Sequence, residues 1–409
     1  MTEEDPRARK RRRKRRIHWV EAVVITLLVV AIGVGVAWAA RSWPAGTPVV
    51  PEASATVTPA AISTPPSEPA TTSAEPTASI EPTSAATASE TISIAAVGDL
   101  LFDLGPRGLI AAQGGAAPLA KVASILRAAD LTIANLETTL SRKGPAVGGK
   151  PAKLIFNGDP RGILSLTTAG VDIVDQANNH AMDHGAIALN DTIQRLDKAG
   201  VLHAGAGANK TAAWKPVYTT VKGIKIAFVA ATQIVPAHFT PTATSAGVAV
   251  GKPISRVVAA VRAARKKADV VIVSVHWGIE QNYSVTAAQK SGARALINAG
   301  ADMVLSHHPH VMEGIDFYKG KLIAYSLGNF LFPYKTTEGR KSFILRFDYG
   351  PKKGVSNITA TPVYLGQWGR PVVQTGSTAR SILGKLAKIS KPFGTKLTIR
   401  NGIGYITPR

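Results

Sequence analysis

The 409-residue sequence predicts an α/β fold that follows a membrane anchor and an unfolded linker. Between residues 91 and 332, strand-like apolar runs alternate with helical patterns, which is typical of layered α/β folds. Residues 22–40 are uncharged and almost wholly apolar, and a run of about 20 such residues matches the thickness of a bilayer core. Residues 44–90 are mainly Pro, Thr, Ser and Ala without an aromatic residue, so they cannot bury enough surface to fold.

These composition changes divide the chain into five predicted segments. They are a basic cytoplasmic tail (1–16), a transmembrane anchor (17–43), a disordered linker (44–90), the main domain (91–370) and a C-terminal extension that packs on this domain (371–409). The linker is rich in proline, and we expect it to be extended and semi-rigid.

The charge of the chain also predicts its location. Nine of the ten residues in 7–16 are Lys or Arg, and we interpret much of the formal net charge of +22 as a targeting signal. Because basic residues next to a membrane span stay in the cytoplasm, we expect a single-pass membrane protein whose folded domain lies outside the cytoplasm. A cleaved signal peptide ending at Ala37-Trp38-Ala39 and a nucleic-acid-binding arm are the alternatives, and we expect no nucleic-acid partner.

The elements of the main domain follow from periodicity and from helix stop signals. Gly200 and Gly300 each follow a helical pattern, where glycine commonly ends a helix. The predicted strands are 91–97, 131–134, 171–177, 225–231, 270–275, 301–305 and 321–325, and the predicted helices are 118–129, 162–169, 186–199, 254–267 and 286–299. In the tail, 342–349 and 358–364 alternate like antiparallel strands that extend the sheet, and 378–389 is helix-like.

Polar side chains follow these predicted strands at the same topological position. Because crevices in α/β sheets form outside the carboxyl ends of the strands, we expect these residues to converge. Each of them alone is also compatible with an ordinary turn, a loop or a packed corner. They are Asp99, Glu137, Asn179, His276, His308 and His310.

This set of side chains predicts a metal-dependent hydrolytic site. The chain has no Cys, which excludes disulfides and thiolate ligands and leaves His, Asp, Glu and Asn as ligands. Such ligands fit two divalent ions, Mn, Fe, Zn or Co, about 3.5–4 Å apart, which activate water for hydrolysis. His308 and His310 flank a proline that should hold their rings apart in an extended loop. His180 is the candidate general acid or charge stabiliser, with Asp183 or Asp175 orienting its ring.

Six motifs in order resemble the capsule-synthesis CapA family, which is similar to the calcineurin-like metallophosphoesterases. The motifs are Gly98-Asp99, NLE (135–137), ANNHAMDHG (177–185), HWGIE (276–280), HHPHV (307–311) and YSLGNFLF (325–332). The resemblance implies a four-layer α/β/β/α sandwich and a role in the production of poly-γ-glutamate capsule. It also implies that Asp99 is the first Asp ligand and Glu137 the bridging carboxylate. Asn179 and His180 would be the Asn-His pair, His276 the lone His ligand, and His308 and His310 the paired His ligands.

Other residues of these motifs are candidates for substrate contact. They are Asn178, beside the predicted ligand Asn179, Trp277 at the cleft, and Asn329 in the last motif. Two positions depart from the phosphoesterase pattern: Glu137 stands where the bridging carboxylate is normally an Asp, and Leu101 stands where those enzymes usually carry a His two residues after the first Asp. The first metal therefore lacks a ligand unless Asp103 or water supplies one.

Three functions remain open from the sequence. The first is a membrane-anchored protein of capsule or surface-polymer synthesis with a dimetal hydrolase site, whose partners are the membrane, an anionic surface polymer and capsule synthase subunits. The second is a non-catalytic subunit that binds the polymer or docks on a synthase complex. The third is a general surface metallophosphoesterase, since one fold hosts many functions.

Overall fold

The structure is a computed structural model that describes residues 91–408. Its larger sheet has ten strands in the order β17-β18-β15-β14-β1-β2-β3-β4, with β13 also paired to β1 and β16 to β15. Strands β1 to β4 are parallel to one another, and β14 is antiparallel to β1. These strands are β1 (Ile92–Leu100), β2 (Leu131–Leu136), β3 (Ile173–Asp175), β4 (Leu202–Ala204), β13 (Asn329–Leu331), β14 (Lys341–Gly350), β15 (Gly354–Leu365), β16 (Pro371–Val373), β17 (Lys396–Arg400) and β18 (Ile403–Thr407).

The smaller sheet has six strands in the order β11-β12-β10-β9-β7-β6, and its central strands are parallel. A short pair, β5 with β8, lies outside both sheets. These strands are β5 (Ala206–Gly207), β6 (Val217–Val221), β7 (Ile224–Thr232), β8 (Gly247–Val248), β9 (Val270–His276), β10 (Met303–His307), β11 (Ile315–Tyr318) and β12 (Lys321–Ala324).

Eight α-helices are described between residues 91 and 408. Thr286 begins one of them with a capping box, in which its hydroxyl accepts from the Gln289 N–H and the Gln289 side chain accepts from the Thr286 N–H. The helices are α1 (Gly105–Gln113), α2 (Ala123–Arg127), α3 (Gly162–Ala169), α4 (Gly185–Ala199), α5 (Lys210–Ala213), α6 (Ser255–Arg265), α7 (Ala287–Asn298) and α8 (Gly376–Ser390).

The two sheets pack face to face between two helical layers. Ile94 of β1 and Phe228 of β7 belong to one buried cluster, which fills the space between the sheets. Val97 of β1 packs with residues of α1 and α3 on the opposite face of the larger sheet. Val273 of β9 packs with residues of α6 and α7 on the opposite face of the smaller sheet. The order of layers is therefore helix, sheet, sheet, helix.

Most predicted elements are confirmed, but one helix is much shorter than expected. The pattern in 118–129 gives only a 3-10 turn, Ala117–Leu119, and the five-residue α2. The N–H of Leu119 donates to the buried Ser165 hydroxyl instead of continuing a helix, so a tertiary contact overrides the local pattern. The predicted antiparallel extension is confirmed in β14 and β15, and residues 371–408 contribute β16, β17, β18 and α8.

The predicted cytoplasmic tail (1–16), anchor (17–43) and linker (44–90) all lie outside the described residues. Within residues 91–408, no helix combines the length and the apolar composition that crossing a bilayer requires.

The excess of positive charge belongs mainly to the folded part of the chain. Residues 91–409 contain 38 Lys and Arg against 17 Asp and Glu, whereas residues 1–90 contain 10 and 9. Interpreting the net charge mainly as an N-terminal targeting signal is therefore wrong. Several of the 17 acidic side chains are also buried, so the exposed surface is more basic than the count alone indicates.

Gly98 allows the end of β1 to lie against the residues that precede β13. The N–H of Asp99 donates to the Gly328 carbonyl oxygen over 2.9 Å, and a Cβ at Gly98 would overlap this oxygen. Gly98 is therefore required by close backbone packing next to Asp99.

We expect Gly98→Ala to lower the free energy of unfolding by about 1–3 kcal/mol, because backbone atoms of Gly328 must move to admit the methyl group. Gly384→Ala is the matched control, since Gly384 lies in α8 with open space around the new Cβ. This control should raise the free energy by about 0.5–1 kcal/mol. Urea denaturation measures both, and equal values for the two variants would contradict the close packing.

Candidate metal centre

The ends of neighbouring strands bring the predicted ligands to one edge of the two sheets. In the larger sheet, Asp99 of β1 is in register with Asn135 of β2, two residues before Glu137. In the smaller sheet, His276 of β9 is in register with His307 of β10, which precedes His308. Parallel strands end at the same level, so residues far apart in sequence meet in space.

The distances between these side chains are short. His276 Nε2 lies 3.2 Å from His308 Nδ1, 2.8 Å from Asn179 Oδ1 and 3.5 Å from Glu137 Oε1. His310 Nε2 lies 3.7 Å from the same Glu137 oxygen. All six predicted metal ligands therefore belong to one cluster, since His310 Nδ1 also lies 3.4 Å from Asp99 Oδ2.

Two carboxylate oxygens in this cluster are buried without a hydrogen-bond partner among the described residues. They are Asp99 Oδ2 and Glu137 Oε1, and both side chains are fully inaccessible to solvent. A buried polar atom without a partner is strongly unfavourable, and a carboxylate more so. The donor set therefore fits a divalent cation, which would supply the missing partner.

Three groups of ligand atoms are close enough to hold a cation. In each group the atoms lie within 4.8 Å of one another. The groups are Glu137 with His276 and His308, Asp99 with Glu137 and His310, and Glu280 with His308 and His310. Glu137 belongs to two of them, which agrees with its predicted bridging position.

The environment shifts the pKa values of Asp99 and Glu137 in opposite directions. Burial raises the pKa of Glu137 well above its usual value, and the nearby charge of Asp99 adds to this effect. Burial also opposes the charge of Asp99, but its contacts with His307 and His310 outweigh burial and hold the pKa of Asp99 well below its usual value. The two neighbouring carboxylates repel each other, so the charge on Asp99 opposes ionisation of Glu137.

The surroundings also shift the pKa values of the three histidines in different directions. Burial lowers the pKa of His276 well below its usual value and that of His308 to about 3, and neighbouring imidazoles contribute to both shifts. Burial opposes the charge of His310, but Glu137 and Asp99 outweigh it and raise the pKa of His310 to about 10. His276 and His308 are thus neutral, which is the form that binds metals.

The loop that carries His308 and His310 differs from the predicted extended conformation. His308 has a φ of 98° and His310 a φ of 55°, both in the region that L-residues rarely adopt. Such conformations cost of the order of 1–3 kcal/mol each and occur mainly where surrounding structure holds them. The Asn329 side chain provides such support, because its NH₂ donates to the His310 carbonyl oxygen over 3.0 Å.

His180 lies at the edge of the cluster, and Asp183 orients its ring. Its Nδ1–H donates to Asp183 Oδ2 over 2.7 Å, which leaves Nε2 as the free ring nitrogen. Burial lowers the pKa of His180, and Asp183 offsets part of this effect. Asp175, the alternative partner, instead accepts hydrogen bonds from the Ser274 hydroxyl and the Ala177 N–H.

The three residues predicted to contact substrate are buried in the described structure. The Asn178 side chain donates to the Leu136 carbonyl oxygen over 2.8 Å and accepts from the His180 N–H. Trp277 is 1% exposed and packs in the core under α7. Asn329 holds His310 as described above. Asn178 and Asn329 therefore position their neighbours, and contact of the three residues with substrate stays a prediction.

The sequence analysis missed several residues that contribute to the site. Asn135 Nδ2 donates to Asp99 Oδ1 over 2.8 Å, and His307 Nδ1–H donates to the same oxygen over 3.1 Å. Lys150 Nζ donates to the Asn179 carbonyl oxygen over 2.7 Å and to Asp183. Asn135 and His307 lie within recognised motifs, whereas Lys150 follows two glycines and carries no sequence signal.

A cavity of about 130 Å³ leads from the surface to the cluster. Its wall combines aromatic rings with polar groups, which suits a substrate that has both apolar and charged parts. A larger cavity of about 530 Å³ lies elsewhere, beside α4 and β6, and none of the three cation-binding groups lines it. The smaller cavity is lined by Lys150, Leu154, Phe156, Asn179, His180, Glu280, His310, Phe332 and Tyr334.

Comparison with known proteins gives matches to a family model, to related sequences and to solved structures. Residues 93–334 match the family model described as "Bacterial capsule synthesis protein PGA_cap". The chain is 30% identical to the PGA biosynthesis protein CapA of Bacillus subtilis over 306 residues, covering 74% of this chain and 80% of that relative. It is 28% identical to the capsule biosynthesis protein CapA of Bacillus anthracis, covering 63% of this chain and 64% of that relative. A solved 5'-nucleotidase precursor from Thermus thermophilus is 12% identical with a TM-score of 0.42, covering 74% of this chain and 59% of that one.

We expect Glu137→Gln to stabilise the metal-free protein by about 1–3 kcal/mol, because it removes a buried acid whose Oε1 lacks a hydrogen-bond partner and whose charge is opposed by burial and by Asp99. The same variant should lose the stabilisation that Mn²⁺ gives to the wild type. Thermal unfolding in EDTA and in excess Mn²⁺ measures both effects. Asp197→Asn, which changes an exposed carboxylate on α4, is the control and should alter neither. An undiminished response of Glu137→Gln to Mn²⁺ would contradict a metal centre at Glu137.

Proposed function

The chain belongs to the bacterial capsule synthesis protein PGA_cap family, and on this premise we propose that it is a metal-dependent hydrolase of surface-polymer synthesis. The observation that carries the proposal is a pair of fully buried carboxylate oxygens, Asp99 Oδ2 and Glu137 Oε1, which have no hydrogen-bond partner among the described residues and lie 3.4–3.7 Å from imidazole nitrogens. A fold alone does not require such an unfavourable arrangement, whereas a cation site does.

The proposed ligands are the six predicted residues, with Glu137 between two ions. Asp99 and His310 would contact one ion, and His276, His308 and Asn179 the other. Two bound divalent ions would supply Lewis acidity and activate water for hydrolysis. A calcineurin-like metallophosphoesterase site fits this arrangement of ligands at strand ends.

The residues around the cluster would bind the substrate and move protons. His180 is fixed by Asp183, so its Nε2 is available for proton transfer at the cavity wall. Lys150 Nζ lies 3.0 Å from His180 Nδ1 and brings a positive charge to the same wall. The rings of Phe156, Phe332 and Tyr334 restrict the entry of water and direct the substrate toward the ligands.

An anionic polymer is the proposed substrate or product. Two of the matched relatives are named for capsule or PGA biosynthesis, and poly-γ-glutamate carries one carboxylate per residue. The excess of 38 basic over 17 acidic residues in 91–409 favours such a partner, because a basic surface attracts a polyanion and concentrates it near the cavity.

We also propose that residues 17–43 anchor the protein in the cell membrane, with residues 1–16 in the cytoplasm and the folded domain outside. The support is the uncharged run 22–40 after nine basic residues, followed by a linker that cannot fold. Docking to capsule synthase subunits would place the site beside the growing polymer.

A non-catalytic role in binding or guiding the polymer is the second candidate. It is favoured by Leu101, because this buried side chain replaces a His that phosphoesterases use to hold the first ion. A weakly held ion would serve structure or polymer binding without turnover.

We expect the purified full-length chain to show Mn²⁺-dependent turnover of at least one of three substrate classes, namely phosphomonoesters, phosphodiesters and γ-glutamyl amides. His180→Gln should lower kcat by about 10²–10⁴-fold without changing metal content, as expected for an acid–base residue. Asp197→Asn again serves as the control. Full metal content without turnover of any class would favour the non-catalytic candidate, and turnover of simple phosphoesters alone would favour a general phosphoesterase.

We expect cells that lack the gene to lose surface polymer, and the wild-type gene to restore it. Asp99→Ala should not restore it, although protease added to intact cells should remove both proteins equally. The protease result controls for export and tests the orientation of the domain. Restoration by Asp99→Ala would contradict a role for the metal centre, and protection from protease would contradict the proposed location.

A further inference from the structure

An ion beside Asp99 would have only three protein donors in the predicted set. Asp99, Glu137 and His310 offer one atom each, whereas transition-metal sites of this kind usually have four or more donors. Leu101 cannot contribute, because its side chain lies in the apolar layer under the helices. Asp103 cannot contribute either, because it pairs with Arg107 at 2.9 Å and accepts from the Asn157 N–H at 2.7 Å.

Glu280 lies on the loop after β9 and reaches the same cluster. Its carboxylate, a nitrogen of His308 and a nitrogen of His310 all lie within 4.8 Å of one another. Its side chain lines the cavity with His310, and among the described residues it has neither a hydrogen-bond nor an ion-pair partner. Glu280 is therefore a free carboxylate at a site that needs a donor.

The backbone fixes Glu280 at this position. The N–H of Gln281 donates to the Pro309 carbonyl oxygen over 2.8 Å, which ties the loop of Glu280 to the loop of His308 and His310. Gly278 has a φ of 97°, and a Cβ there would lie 3.1 Å from the Pro309 ring. Glycine at 278 thus lets the two loops pack together and brings Glu280 over the histidines.

We propose that Glu280 is a ligand of this cluster and supplies a further donor to an ion held beside His308 and His310. The inference rests on the proposed metal centre. Asp99 and Glu137 offer two negative charges to two divalent ions, and Glu280 adds a third, which lowers the net positive charge of the loaded site. Because Glu280 is exposed, it approaches the ion from the side of the cavity that is open to solvent.

Titration of the metal-free full-length chain with MnCl₂, followed by calorimetry and by metal analysis, tests this role without an activity assay. The wild type should bind two ions. Glu280→Gln should weaken the binding of one ion by at least about 10-fold, the lower bound for residues one step further from a metal. Glu280→His, which keeps a ligand atom, should retain both ions, and Glu338→Gln, a carboxylate of another loop, should bind as the wild type does.

Two ions bound with wild-type affinity in Glu280→Gln would overturn the role of Glu280 and leave the metal centre standing. A wild-type chain that binds no Mn²⁺ would overturn both the metal centre and this inference.

Discussion

The structure depends on the convergence of carboxylates and imidazoles at one buried edge of two sheets. Asp99 and Glu137 are fully buried, and each has an oxygen without a partner among the described residues. The folded chain tolerates this unfavourable arrangement in part because close backbone packing and hydrogen bonds from Asn135 and His307 hold the Asp99 carboxylate in place. Binding a cation would turn the same arrangement from a source of instability into one of stability, which links occupancy of the site to folding.

Some features of the fold and the site follow from local sequence patterns, whereas others depend on contacts between residues that are distant in sequence. The apolar strands, the glycines that end α4 and precede β10, and the six polar positions after strands could be predicted, because they follow from local periodicity and from one topological rule. The 3-10 turn and short α2 in place of a long helix could not, since a contact with Ser165 decides them. The positive φ values of His308 and His310 also depend on partners distant in sequence, such as Asn329.

The same distinction applies to individual residues of the site. Residue type and position predicted which side chains converge, but they could not show which of the neighbouring motif residues hold these side chains in place. Asn178 accepts a hydrogen bond from His180 and Asn329 donates one to His310, and only the three-dimensional structure reveals these contacts. Lys150 gave no signal, because its role arises from where a glycine-rich loop folds back onto Asp183.

The contact between Gly98 and Gly328 joins residues 230 positions apart, next to the first predicted ligand. Until residue 328 has been synthesised and has packed against β1, the N–H of Asp99 lacks its partner, the Gly328 carbonyl oxygen. His308 and His310, which precede residue 328, are until then on a separate loop. Contacts of such long sequence separation form late in folding. A chain emerging from the ribosome therefore carries scattered, weak donors, and the cation-binding geometry arises only as the domain nears completion.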